Sequence, residues 1–244
     1  MGIPVDALVQ QNKELLAALE TTLGYRFTDL RLLQKAVVHP SYAFEQAQAG
    51  NDNQVLEFIG DAVLDLVIGH LLCHRYPKMR EGELTRFRSS LVNEGHLAEM
   101  ARALDLGRFL CLGKGEDASC GRNKSSILSC AFEAVIGAIF EDSGYTTVAE
   151  IVEHLFVEAI EQKKQDLLLS DAKSRLQEVL QERHNEAPVY RLDGENGPSH
   201  RKQFSVSVLF HDEVLGSGTA GSKKEAEQRA ASAALLLWEK REQL

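Results

Sequence analysis

Apolar residues recur at helical spacing through most of the first 160 positions. The pattern predicts helices over Leu15–Leu23, Leu30–Val38, Val55–Leu72, Leu84–Leu104, Ile127–Phe140 and Val148–Ile160. Breaks fall at His39-Pro40, at Ala49-Gly50-Asn51-Asp52-Asn53, at Tyr76-Pro77 and across Gly113–Gly121. The polar run Glu161–Asp166 leads into Leu167–Asp171 and reads as a helix end followed by a linker. After Asp171 the period changes. Ala172, Leu176, Val179 and Leu180 form one helical stripe, and Pro188–Asp193 is short and β-like. Phe204, Val206, Val208 and Phe210 alternate with Gln203, Ser205, Ser207 and Leu209, the period of a half-buried strand. Glu213–Ala220 is a third, glycine-rich strand or turn. Ser222-Lys223-Lys224-Glu225 then fits a capping box that opens a helix running to about Trp238. The expected fold is an all-α domain over residues 15–160, a linker over 161–170, and a small α+β domain of order α-β-β-β-α over 171–241.

Composition narrows the classes of function. A chain of 244 residues suffices for one large domain or two small ones. Hydrophobic residues at 44% and charged residues at 26% exclude a disordered tail, a collagen-like fibre and a disulfide-dense miniprotein. The start Met1-Gly2-Ile3-Pro4-Val5-Asp6 lacks a basic region before an apolar run, so no secretory signal is expected. Charged residues interrupt every apolar run, so no membrane span is expected and the expected location is cytoplasmic. Cys73, Cys111, Cys120 and Cys130 match neither a zinc nor a redox spacing, and free thiols are the expectation. The net charge of −9 rules out broad adhesion to nucleic acid or anionic membrane. Nucleic-acid binding therefore requires a local patch, or metal ions that reverse a negative field. Residues 171–244 hold 11 basic and 12 acidic side chains, against 16 and 24 in the remainder, so the acidity sits in the helical domain.

Two helices carry carboxylates among apolar neighbours. At 100° per residue, Gln54, Glu57, Asp61 and Asp65 share an arc of about 80°. Glu57 and Asp61 are like charges at i, i+4, which destabilise a bare helix by a few tenths of a kcal/mol. A solvated helix face is one reading of this stripe. Its flanks, Leu56, Phe58, Ile59, Val63, Leu64 and Val67, favour burial instead. Glu133 is the single ionised group in Ser129-Cys130-Ala131-Phe132-Glu133-Ala134-Val135-Ile136-Gly137-Ala138. A nearly buried carboxylate needs a partner. Hard oxygen ligands for Mg²⁺ fit both helices; a buried Arg or Lys is the alternative that periodicity leaves open.

Asn53-Gln54-Val55-Leu56-Glu57-Phe58-Ile59-Gly60-Asp61-Ala62-Val63-Leu64 resembles the signature of ribonuclease III, the double-strand-specific RNA endonuclease. Leu23-Gly24-Tyr25-Arg26-Phe27, His39-Pro40-Ser41-Tyr42, Glu81-Gly82-Glu83-Leu84-Thr85 and Ser126-Ile127-Leu128 with Phe132-Glu133-Ala134 extend the match, and the C-terminal part resembles a double-stranded-RNA-binding domain. Together these cover roughly residues 15–241. The resemblance implies a homodimeric endoribonuclease that uses Mg²⁺, with Mn²⁺ as a substitute. It implies products with 5′-phosphate and 3′-hydroxyl ends and a short 3′ overhang, and work on ribosomal RNA precursors and messenger RNA. By the same resemblance Glu57, Asp61 and Glu133 are metal ligands, Asp61 and Glu133 being the essential catalytic pair. Glu81 is a further acidic position, and Phe58 packs into the partner subunit or serves as an ordinary core residue.

Two positions depart from that pattern. Gln54 stands where the family often has Glu, and Cys130 where it usually has a metal-linked Asp. A thiol is mostly neutral at pH 7 and soft, whereas Mg²⁺ prefers oxygen. The departures imply weakened metal binding with water at the vacated position, or a Cys130 that merely fills core space. A double-stranded-RNA-binding protein that does not cut is the rival reading. In the second domain, Lys223 and Lys224 occupy the first turn of the last helix, where cations oppose the helix dipole and a bound phosphate would reward them. Lys173 and Gln177 lie beside the apolar stripe of the first helix, on the face that in the family reaches an RNA minor groove. Ser199 and His200 match the loop that enters the next groove. Such domains read A-form shape over about 16 base pairs.

Overall fold

The computed structural model describes residues 4–46, 51–198 and 201–242. It divides into two compact units, Met1–Ile160 and Glu161–Leu244. The first is helical: α1 (Val5–Gln11), α2 (Lys13–Leu23), α3 (Leu30–Ala36), α4 (Pro40–Glu45), α5 (Gln54–Arg75), α6 (Glu81–Leu91), α7 (Glu94–Ala103), α8 (Lys114–Ala118) and the start of the helical run α9 (Ser125–His184). Leu16, Leu19 and Leu23 of α2 are buried at helical spacing, and Gly24 ends the helix in the left-handed region at φ 66°. Pro40, placed as a break by the sequence, is instead the first residue of α4, with His39 Nδ1 accepting the Ser41 N–H.

Leu84–Leu104, expected as one helix, is two. Asn93 divides it. Its Oδ1 accepts the His96 N–H at 3.0 Å, opening α7, while its Nδ2 donates to the carbonyls of Ser89 and Ser90 at 3.0 Å each, closing α6. One short polar side chain thus satisfies the orphaned groups of two helix ends. The expected break across 113–121 contains α8, framed by 3₁₀ turns at Leu106–Phe109 and Gly121–Asn123. Arg122 ties this segment together, donating to the carbonyls of Gly107 and Leu110 and pairing with Asp117 at 2.8 Å.

The run α9 is interrupted at Gly144, whose φ of 77° and ψ of −173° are outside helical space. Just before it, Asp142 accepts from Tyr25 Oη at 2.6 Å and from the Thr28 and Asp29 N–H groups at 2.8 and 2.9 Å. That carboxylate anchors the turn between α2 and α3. Beyond Gly144, Val148, Val152, Phe156 and Ile160 complete the core of the first unit. Residues 161–170 are helical as well.

The second unit has a three-stranded antiparallel sheet of order β1 (Val189–Asn196), β2 (Gln203–Phe210), β3 (Glu213–Ala220), with α10 (Lys223–Glu242) packed on it. With the helical segment before β1, this is the α-β-β-β-α fold the sequence pattern implies. His211 and Asp212, at φ 47° and 64°, make the tight β2–β3 turn. Val206, Val208 and Phe210 point inward onto Ala172, Leu176 and Leu180 and onto Ala226, Ala230, Ala231 and Ala234 of α10. Ser207, on the opposite face of β2, is nonetheless buried, donating to Asp193 Oδ2 at 2.5 Å.

The small alanines of α10 let it approach β3 closely. A Cβ at Gly216 would lie 2.5 Å from the Ala230 carbonyl oxygen. Gly216→Ala is therefore expected to destabilise the second unit by about 1–3 kcal/mol through overpacking. Gly194→Ala, where a Cβ meets nothing within 4 Å, is the control, expected to stay within about 0.5 kcal/mol. Urea titration of both variants distinguishes a packing constraint from a general intolerance of side chains in the sheet.

Candidate metal centre and nucleic-acid interface

The carboxylates meet because α5 and α9 touch backbone to backbone. A Cβ at Gly60 would lie 1.8 Å from the Glu133 carbonyl oxygen, and one at Gly137 would lie 2.1 Å from that of Leu56. No side chain fits between the helices there. Side chains at or within one turn of these contacts, Glu57 on α5 and Cys130 and Glu133 on α9, are therefore held next to one another. Their ligand atoms all lie within 4.8 Å of one another, and each residue is half-buried. Asp61 is more exposed and outside this tight group, yet close enough that its charge acts on Glu133.

The electrostatics of the cluster are unfavourable as the chain stands. Burial, reinforced by the charges of Asp61 and Glu57, pushes the Glu133 carboxyl up to about 7. Burial, a hydrogen bond to Glu57 and the charges of Glu57 and Glu133 push the Cys130 thiol up to about 12. Among the described residues, no Lys or Arg forms an ion pair with Glu57, Asp61 or Glu133. Among the described residues, then, no basic side chain of this chain takes the cation's place beside these three carboxylates. Converging half-buried carboxylates that lack a counter-charge suit a divalent cation, and oxygen donors dominate the set. The donor chemistry fits a metal ion, with one sulfur among the oxygens.

Other predicted positions lie elsewhere. Asp65, the fourth member of the stripe, pairs with Arg88 of α6 at 3.4 Å and so helps fix α6 against α5. Gln54 is exposed, its N–H donating to Asp52 Oδ1 at 3.1 Å. Glu81 is exposed at the start of α6 and accepts from Thr85 Oγ1 at 2.9 Å; it does not join the cluster. Phe58 is 77% exposed in the single chain, beside Val55 at 60%, so it is no core residue of the monomer. Sequence reasoning overlooked Gly60 and Gly137. The available signal was an isolated glycine inside each of two otherwise strong helical patterns.

In the second unit, Lys223 and Lys224 are exposed in the first turn of α10, where Ser222 Oγ accepts the Glu225 N–H at 3.2 Å. Glu225 also pairs with Arg229 at 2.7 Å. Gln177 is exposed on the helical segment before β1. Lys173 is engaged within the unit: its Nζ donates to Glu227 Oε2 at 2.7 Å and lies 4.4 Å from the centre of the Tyr190 ring. Ser199 and His200 lie outside the described residues.

An all-helical unit with a carboxylate cluster suited to a metal ion, carried on one chain with an α-β-β-β-α unit, defines a two-domain nuclease class. The chain belongs to the ribonuclease III family of metal-dependent endoribonucleases. Residues 29–160 match the Ribonuclease-III-like family model, and residues 172–237 match that of the double-stranded RNA binding motif. Ribonuclease 3 of Desulfotalea psychrophila is 67% identical over 235 residues, spanning 96% of this chain and 98% of the relative. Ribonuclease 3 of Oleidesulfovibrio alaskensis is 47% identical over 91% of this chain and 96% of its own length. Among solved structures, the nuclease domain of ribonuclease III from Campylobacter jejuni, with structural flexibility in a region involved in dimer formation, matches 59% of this chain and 96% of its own. The TM-score is 0.55 and the identity 40%.

The raised Glu133 carboxyl gives a stability signature. With 4.5 as the ordinary value and about 7 in the folded chain, the folded state holds its proton more tightly than the unfolded one. Its contribution is complete below the ordinary value and is lost as pH rises through about 7. Glu133→Gln is expected to stabilise the metal-free protein by on the order of 2 kcal/mol at about pH 8 and not at all at about pH 4. Thermal melts in chelator across that range check this; a variant no more stable than the native chain at high pH would contradict the account in which burial and neighbouring charges raise the Glu133 carboxyl.

Proposed function

We propose that this chain is a homodimeric, Mg²⁺-dependent endoribonuclease that cuts double-stranded RNA in the cytoplasm to leave 5′-phosphate and 3′-hydroxyl ends, acting on ribosomal RNA precursors and messenger RNA. The observation that carries the reading is the convergence of Glu57 and Glu133, with Asp61 beside them, at a crossing where no described residue offers them a basic partner. Phe58 and Val55, exposed on α5 of the single chain, support a second copy as the cover for that face. Among the described residues, no helix is long and apolar enough to cross a membrane.

In this reading Asp61 and Glu133 are the catalytic ligands, Glu57 completes the oxygen set, and Glu81 shapes the approach of the RNA. Bound there, Mg²⁺ supplies Lewis acidity toward the scissile phosphate and lowers the pKa of water, with Mn²⁺ as a substitute. The chain contributes placement. Helix α9 presents Glu133 on a rigid face, α5 presents Glu57 and Asp61 one turn apart, and the glycine crossing fixes the distance between the two sets. In the absence of a cation the local negative field repels a phosphate, so cleavage is gated by ion binding. The exposed Lys223 and Lys224 at the start of α10 receive backbone phosphates, and Gln177 reaches 2′-hydroxyls. Lys173, held by Glu227, orders the RNA-facing helix more than it donates charge.

A binder that does not cut is disfavoured by the similarity to Ribonuclease 3 relatives over nearly the whole chain, and the convergence of Glu57 and Glu133 supports the enzyme. Incubating a long RNA duplex with the native chain and Mg²⁺, then Mn²⁺, is expected to give cleavage. Glu133→Ala is expected to abolish it while a gel shift of the duplex persists. A shift without cleavage by the native protein in either ion would establish the binder instead. Lys223→Ala with Lys224→Ala is expected to weaken duplex binding about tenfold irrespective of sequence, and to lower the salt dependence by up to about 2 in log–log slope. Binding measured at several salt concentrations tests this; an unchanged slope would remove the two lysines from the interface.

A further inference from the structure

The sequence alone leaves Cys130 as a vacated ligand position filled by water, or as core filling. Its geometry adds a third reading. Cys130 precedes Glu133 by three residues on α9, so both side chains share one helix face. Its Sγ lies within 4.8 Å of ligand oxygens of both Glu57 and Glu133, and the thiol hydrogen-bonds Glu57. The sulfur is therefore one of three neighbouring atoms of ligand type. Other cysteines are placed differently: Cys73 and Cys120 are exposed, and Cys111 accepts from Gln34 and Asn12.

From this arrangement we infer that the cluster is a mixed oxygen–sulfur site in which Cys130 binds as a thiolate to a borderline-soft divalent ion of the Zn²⁺, Co²⁺ or Cd²⁺ class, in competition with Mg²⁺. The inference rests on the reading above that this cluster is the metal site. Two carboxylates and one thiolate match the ligands that Zn²⁺ accepts, whereas Mg²⁺ demands an oxygen shell and gains nothing from sulfur. The proton balance is simple. The ion forms a bond to Sγ, the S–H proton leaves to solvent, and no electrons are transferred. Ligation of a divalent ion by a thiol releases its proton. Substitution of Asp by Cys thus changes which ion the site prefers rather than simply weakening it.

The test uses the full-length, metal-free protein with Co²⁺ as an optical probe and calorimetry for affinity. Co²⁺ is expected to produce sulfur-to-metal charge-transfer absorption that Zn²⁺ abolishes by displacement. Cys130→Ser and Cys130→Asp should each lose the band, while joint replacement of Cys73, Cys111 and Cys120 by Ser should keep it. Cys130→Asp should bind Zn²⁺ at least tenfold more weakly relative to Mg²⁺ than the native chain does. Co²⁺ binding without the band, or a band that survives in both Cys130 variants, overturns the inference and leaves the metal-site reading standing. Calorimetry that detects no Co²⁺, Mn²⁺ or Mg²⁺ binding at all overturns the inference and that reading together.

Discussion

The backbone contact between α5 and α9 is the constraint on which the rest of the catalytic unit depends. Gly60 and Gly137 each occupy space that a single methyl group would deny, since their missing Cβ atoms would fall on the carbonyls of Glu133 and Leu56. Interiors are packed too densely to absorb such an intrusion without moving a helix. The crossing therefore sets the distance between the carboxylates of one helix and those of the other. A wider crossing would separate Glu57 from Glu133 and let water screen each alone.

That closeness has an electrostatic consequence. Burial first, and then the charges of Asp61 and Glu57, raise the Glu133 carboxyl to about 7, and among the described residues no basic side chain is paired to these carboxylates. Asp65 shows the contrast. It lies on the same helix face, but Arg88 is available to it, and it becomes a structural pair rather than part of the site. What lies opposite a carboxylate, not its residue type, decides whether it is paired.

The second unit solves a different problem by related means. Its helix α10 uses alanines against Gly216 and Gly218 of β3 to bring helix and sheet together, which leaves the first turn of α10 exposed with its two lysines. Lys173 is better understood as part of this packing. Its bridge to Glu227 and its position over Tyr190 join the helix before β1 to the sheet and to α10.

The sequence by itself determined the two-part architecture, the alternation in β2, the helical periods around Glu57, Asp61 and Glu133, and the family. Those features are local or carried by a long motif, so each is visible without knowing what packs against what. It did not disclose that Asn93 divides one apolar period into two helices, because capping depends on where the chain turns. It gave no place to Asp142, whose three partners lie more than 110 positions away. Above all, whether Cys130 fills core, leaves room for water or faces the acids was undecidable along the chain. That depends on how α9 is rotated against α5, and only the glycine crossing fixes the rotation.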